Sequence, residues 1–158
     1  MPAPVTTDRI WKEVQAQLFA VLGFVNPKGE PRTSGIVYVV RNRQLYIVVG
    51  RHSWKARHIA RNPKVSLTVT IPKRVPFLPW IKIPAATITF QGDAEVHASS
   101  EIDPEIQHAL TRGVEVDPDP AKSVIIKVKP SGGFLTYGIG VPLLTMRKPE
   151  EAIGRAPV

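Results

Sequence analysis

"GRHSWKARHIARNPKVSLTV", residues 50–69, contains two opposite periodicities separated by a proline. Ser53 is a good N-cap, Ala56, Ile59 and Ala60 form an i, i+3, i+4 apolar face, and Asn62-Pro63 is a stop signal, so the spacing predicts a helix of about two turns over 54–61. Directly after it, "KVSLTVTI" alternates, with Val65, Leu67, Val69 and Ile71 on one side and Ser66, Thr68 and Thr70 on the other, the period of a half-buried strand.

The flanking sequence extends this pattern. Upstream, "QLYIVVG" is a near-continuous apolar run that fits a strand covered on both faces or closed into a barrel. "FAVLGFV" and "RTSGIVYVV" read as a hairpin around "NPKG", with Pro at the second turn position and Gly at the fourth. Downstream, "ATITFQGDAEVHA" reads as a strand with an irregularity at Gly92, and "SVIIKVKP" as the last clear strand. "TTDRIWKEVQAQL" places Ile10, Val14 and Leu18 on one stripe of a helix over about residues 8–18, suited to covering a barrel end. "DPEIQHALTRG" has Asp103 at N-cap, Pro104 at N1 and Gly113 at C′.

Six strands at short spacing, with most connections too short for crossover helices, imply a mainly β fold: a six-stranded antiparallel barrel with small helices. One domain over residues 1–158 is expected, with the N-terminal helix inside 1–18 and a tail of no clear period over 138–158. Between the fourth and fifth strands, "PKRVPFLPWIKIP" carries Pro72, Pro76, Pro79 and Pro84 and cannot be a central strand. Phe77, Leu78, Trp80 and Ile81 on this connection, and the tail segment "GFLTYGIGVPLL", look like more apolar surface than one small barrel buries, so a second chain is expected to cover them.

Composition narrows the chemistry. The absence of Cys excludes disulfides and thiolate sites and suits a reducing, cytoplasmic setting. The four histidines lack ligand spacing, so no bound metal is expected. No apolar run of about 18 residues is present, and neither a membrane partner nor a secretory signal is expected. Residues 1–80 hold thirteen Lys/Arg against three Asp/Glu, whereas residues 81–158 hold eight against ten, so the basic half calls for an anion.

The opening stretch concentrates that demand. From Arg51 to Val65 there are five Lys/Arg, two His and no acid. Arg57 and Arg61 suit the C-terminal end of the helix as solvated cations, but Arg51, His52 and Lys55 crowd its N-terminus, where the backbone N–H groups are already partly positive. A phosphate accepting from those groups, from Ser53 and from Lys55 would relieve the conflict, while simple solvation of surface cations would cost about 1 kcal/mol or less.

The ordered set "RTSGIVYVV … QLYIVVGRHSWKARHIARNPKVSLTV … TFQGDAEV" resembles the FMN-binding split β-barrel of the pyridoxamine 5′-phosphate oxidase superfamily, from about Leu22 to Val96. The resemblance implies a homodimer with FMN in the groove between the two chains. It implies Arg32 and Lys55 as phosphate cations, with Ser53 adding a hydroxyl. Thr33, Ser34, Gly35 and Ile36 would run past the flavin ring, and Val49 and Gly50 would end the strand leading to the phosphate. Trp54 stands where the vitamin-oxidising members often have Arg, and their C-terminal substrate segment is not recognisable, so the small-molecule substrate stays open. Trp54 would either pack or form a wall against the flavin.

No Ser/His/Asp set, P-loop or paired-carboxylate motif is present, and "GIG" at 138–140 lacks the rest of a dinucleotide fingerprint. Catalytic side chains are therefore not assigned, as suits an oxidoreductase whose cofactor carries the chemistry. Three alternatives stand beside FMN oxidoreduction. One is a reductase of the same fold using the deazaflavin F420, one a flavin-binding module without turnover, and one a nucleic-acid-binding barrel with Trp54, Phe77 and Trp80 as stacking platforms.

Overall fold

The computed structural model describes residues 4–112, 119 and 121–158. Gly113, the expected C′ residue, lies outside the described residues. Six strands close into an antiparallel barrel: β1 (Phe19–Val25), β2 (Pro31–Arg41), β3 (Gln44–Gly50), β4 (Lys64–Ile71), β5 (Ala86–Ala98) and β6 (Ser123–Tyr137). They run in the order β3-β2-β1-β4-β5-β6, and β6 pairs back onto β3. This is the mainly β, six-stranded barrel with small helices expected from the sequence.

Local chemistry accounts for the turns. At the β1–β2 turn, Asn26 Oδ1 accepts from the N–H groups of Lys28 and Glu30, and Gly29 takes a φ of 79°. The β2–β3 hairpin turns on Asn42 and Arg43, both left-handed at φ 52° and 58°, the pattern of a type I′ turn that matches strand twist.

Alternation fills the barrel. Val65, Leu67, Val69 and Ile71 of β4 are all buried, as their period requires. Strand β3 is covered on both faces: Leu45, Ile47 and Val49 enter the main core, and Tyr46 packs with Ile102, Ile106 and Leu110 at and around α3 (Pro104–Thr111). Helix α1 (Thr7–Ala16) brings Ile10, Trp11 and Val14 into the same core, and the Tyr38 hydroxyl donates to the Val14 carbonyl at 2.7 Å.

Four details differ from the sequence expectation. Helix α1 ends at Ala16, so Leu18 leaves the stripe and is exposed. Gly92 is regularly paired to Val65 and Pro130, and a Cβ there would come within 2.7 Å of Val128 Cγ1, so close packing rather than irregular pairing requires glycine. The irregularity lies across from it: Thr89 pairs with Leu135 and Gln91 with Ser131, so β6 carries extra residues around Gly132 and Gly133. Finally, β6 runs on to Tyr137, and a seventh strand, β7 (Ile153–Pro157), follows α4 (Pro149–Ala152) and pairs with β6. The tail thus buries Phe134, Ile139 and Met146 in its own chain's core, and Leu135 and Leu144 remain exposed.

Candidate functional site

Strands β2 and β3 and helix α2 (Trp54–Arg61) meet at one end of the barrel. Ser53 caps α2 as its spacing predicts, its hydroxyl oxygen accepting from the Ala56 N–H at 3.3 Å, while Asn62 closes the helix by donating its N–H to the His58 carbonyl. Ala56 and Ile59 are buried beneath the helix, and Ala60, expected on that face, is exposed. The N–H groups of Trp54 and Lys55 sit in the first turn, with no preceding helical turn to accept them.

The two faces of β2 divide the expected residues. Ser34 pairs with Leu22 and Arg32 with Phe24, and directly opposed residues share a face, so Ser34 and Arg32 lie on the side of the buried Leu22 and Phe24. Thr33 and Gly35, opposite Gly23 and Val21, lie on the other side. The Lys55 ammonium crosses from α2 to donate to the Ser34 hydroxyl at 3.1 Å.

A depression of about 350 Å³ opens beside this bond, walled by Gly35, Ile36, Val49, Gly50, Ser53 and Lys55 together with Phe19, Val37 and Val48. Glycine shapes it at two points. A Cβ on Gly35 would come within 2.8 Å of the Phe19 ring, whereas one on Gly50 would meet nothing within 4 Å. Six of the ten sequence-assigned residues line this one depression.

The other four are arranged differently. Arg32 and Thr33 line a separate depression of about 450 Å³ with Lys64 and Gln91, and the Arg32 guanidinium reaches Glu30 at 3.4 Å. Both partners of that ion pair are half exposed, so it is a weak tether that an incoming anion can displace. Ser34 touches the site through Lys55. Trp54 packs its ring on Phe24 at a centroid distance of 5.2 Å and on His58 at 5.9 Å, yet 44% of it stays exposed, so it is both packing and an open aromatic face.

Sequence reasoning missed Phe19 and Glu30. Phe19 is read from its strand as an ordinary apolar residue, but it is 47% exposed with its ring over Gly35, a contact set by the β1–β2 register and carried by no local motif. A larger depression of about 630 Å³ lies at the β5–β6 irregularity, bordered by Arg155 of β7, and includes none of the expected residues. Among the described residues, no group of three His, Asp or Glu is placed to hold a metal ion.

The barrel is shared with solved structures. An F420 reductase is 23% identical with a TM-score of 0.54, over 74% of this chain and 88% of that one. General stress protein 26 from Bacillus anthracis is 20% identical with a TM-score of 0.60, over 82% and 90%. A heme storage protein from Vibrio cholerae is 18% identical with a TM-score of 0.67, over 89% and 98%. At these identities the likeness speaks to the fold, and the proteins that share it bind different groups. No curated protein matches the sequence. Residues 6–137, which take in all six barrel strands, match the pyridoxamine 5′-phosphate oxidase family, and the chain belongs to it.

Proposed function

We propose that the protein is a homodimeric, FMN-binding oxidoreductase acting on a small-molecule substrate. The observation that carries this reading is the Lys55–Ser34 bond, which holds an ammonium at the start of an acid-free, Ser-capped helix beside a depression that Gly35 and Gly50 leave clear of side chains.

This donor set suits a phosphate dianion joined to a flat ring. The Ser53 oxygen is occupied in capping, but its O–H hydrogen remains available to donate, so Ser53, Lys55 and the free N–H groups of the first turn converge on one anion. Arg32 joins them by releasing Glu30. Gly35 and Ile36 supply a backbone edge for the ring, and Val49 and Gly50 border its phosphate end, while Thr33, further along β2, and the exposed face of Trp54 would extend the surface offered to it beyond the depression. When bound, the flavin supplies hydride or electron transfer; the chain binds it, orients it and keeps water from it. Phe19 and Leu18, apolar and exposed along this edge, are where a second copy would cover the cofactor.

A second reading, the deazaflavin F420, is favoured by the charge beyond the phosphate cradle. Arg51, Arg57 and Arg61 are all exposed around α2, more cations than one phosphate uses and suited to a longer anionic tail. Direct titration decides: FMN, riboflavin and F420 are added separately to the protein, and binding is followed by fluorescence and absorbance. Tight FMN binding, followed by bleaching of the flavin band with a reductant and its return with an acceptor, supports the first reading. Tight F420 binding with weak FMN binding replaces it with the second, and flavin binding without turnover leaves a carrier.

A further inference from the structure

Between β4 and β5, residues 72–85 form a loop that the cofactor reading does not use. Four prolines stiffen it, and two turns shape its tip, Leu78 N–H to the Val75 carbonyl at 3.3 Å and Ile81 N–H to the Leu78 carbonyl at 3.1 Å. Ile83 packs against the barrel core and anchors the base. The tip points away from the protein: Phe77 is 96% exposed and Trp80 72%. Phe77 holds a φ of 63°, a left-handed conformation that a bulky residue seldom adopts. The prolines and this backbone keep the rings from folding back onto the barrel.

Charge identifies what the tip meets. Lys73, Arg74 and Lys82 flank the aromatic residues, and from Pro31 to Gly92 the chain has eleven Lys/Arg and no Asp or Glu. An apolar, aromatic tip with a basic collar is the composition of an interfacial membrane anchor, Trp settling at headgroup level and the cations answering the negative surface. A second copy of this chain meeting it loop to loop would oppose like charges, and a protein partner would need a cavity shaped to a projecting wedge. A bilayer needs neither.

We propose that residues 72–85 dock the protein peripherally on an anionic lipid surface, with Phe77 and Trp80 entering the boundary between headgroups and acyl chains. This departs from two sequence expectations, that of no membrane partner, which rested on the lack of a spanning segment, and that of a second chain covering Phe77, Leu78, Trp80 and Ile81. No helix among the described residues is long and apolar enough to cross a membrane, so the attachment proposed is to the surface.

The test uses the whole protein with phosphatidylcholine vesicles prepared with and without phosphatidylserine. Co-sedimentation should be strong only with phosphatidylserine and should fall with added salt, and tryptophan emission should shift to the blue on binding. Phe77→Ser/Trp80→Ser should lower the partition coefficient about tenfold or more. Lys73→Glu/Arg74→Glu should remove the preference for phosphatidylserine. Trp80→Ser alone should abolish the blue shift, since Trp11 is buried and Trp54 packs on Phe24. All these positions are exposed or partly exposed, so melting temperatures should not move. Equal binding to both vesicle types, no binding by the unmodified protein, or unchanged binding by the double serine variant would overturn the proposal. Conversion of dimers to monomers by that variant in lipid-free solution would overturn it in favour of a second copy of the chain.

Discussion

The Lys55 ammonium and the Ser34 hydroxyl, 3.1 Å apart, join the first turn of α2 to the first half of β2. A lysine side chain is free to sweep a wide arc, and this bond fixes its charge beside the depression that Gly35 and Gly50 border. The positioning belongs to the folded protein, so its value for binding can be separated from the charge itself.

Lys55→Ala should weaken FMN by roughly tenfold to a hundredfold, as expected for one charge-assisted hydrogen bond to phosphate, and should leave riboflavin nearly unchanged. Ser34→Ala should give a smaller loss in the same direction. Isothermal titration with both ligands is the measurement, and equal losses for FMN and riboflavin would remove Lys55 from the phosphate site.

Two glycine substitutions separate fold from site. Gly50→Val adds a side chain where a Cβ meets nothing within 4 Å, so the melting temperature should hold while flavin affinity drops. Gly35→Ala instead presses on the half-exposed Phe19 ring, which should swing aside at a cost of about 1 kcal/mol. Thermal denaturation and flavin titration, run on the same samples, distinguish the two patterns.

Salt distinguishes a flavin protein from a nucleic-acid binder. Single-stranded DNA held by the basic half should be lost steeply between about 50 and 200 mM salt, in proportion to the phosphates neutralised, and FMN should be lost only modestly. Salt-resistant DNA binding without flavin affinity would favour the nucleic-acid reading.

Tyr38 makes stability sensitive to alkali. Burial raises its phenol above the ordinary value of 10.0, so it stays protonated in the folded chain at a pH where the unfolded chain has released that proton. Stability is therefore intact below about pH 10 and falls as the pH climbs beyond it. Tyr38→Phe removes that alkaline limb and one of the two hydrogen bonds to the Val14 carbonyl, which keeps the Gln17 N–H at 3.3 Å, at a cost of about 1 kcal/mol near neutral pH. Urea melts at a series of pH values read both effects.

For the proposed homodimer, flavin should be released as dimers dissociate on dilution, with an interface above about 2,000 Å² in total. Light scattering read beside flavin fluorescence tests this, and a monomer keeping full FMN affinity would assign the site to one chain.

Legibility followed the range of the causal interactions. Helix α2 and strand β4 were readable because Ser53, Asn62-Pro63 and the Val65–Ile71 alternation act within a few residues. Strand β7 was not, since "IGRAP" has no apolar period and is held by pairing with Gly133 through Tyr137. The second half of β6 was hidden by Pro130, Gly132 and Gly133, ordinary signs of an ending, which here accommodate the extra residues opposite Thr89 and Gln91. In the site, residue types were readable and side-chain partners were not: Ser34 meets Lys55 from 21 positions away, and Arg32 turns to Glu30.

The pairing of β3 with β6 sets a kinetic order for the molecule. It joins Leu45–Gly50 to Ser123–Val128 across the intervening chain, the kind of distant closure that makes β-rich folding slow, from milliseconds to about seconds. Val49 and Gly50 lie on that seam, opposite Val124 and Ser123, and they also border the depression proposed to take the cofactor. An open barrel has no complete site to offer, so ligand should leave the refolding rate unchanged and slow the unfolding rate, resisting the step in which the seam parts.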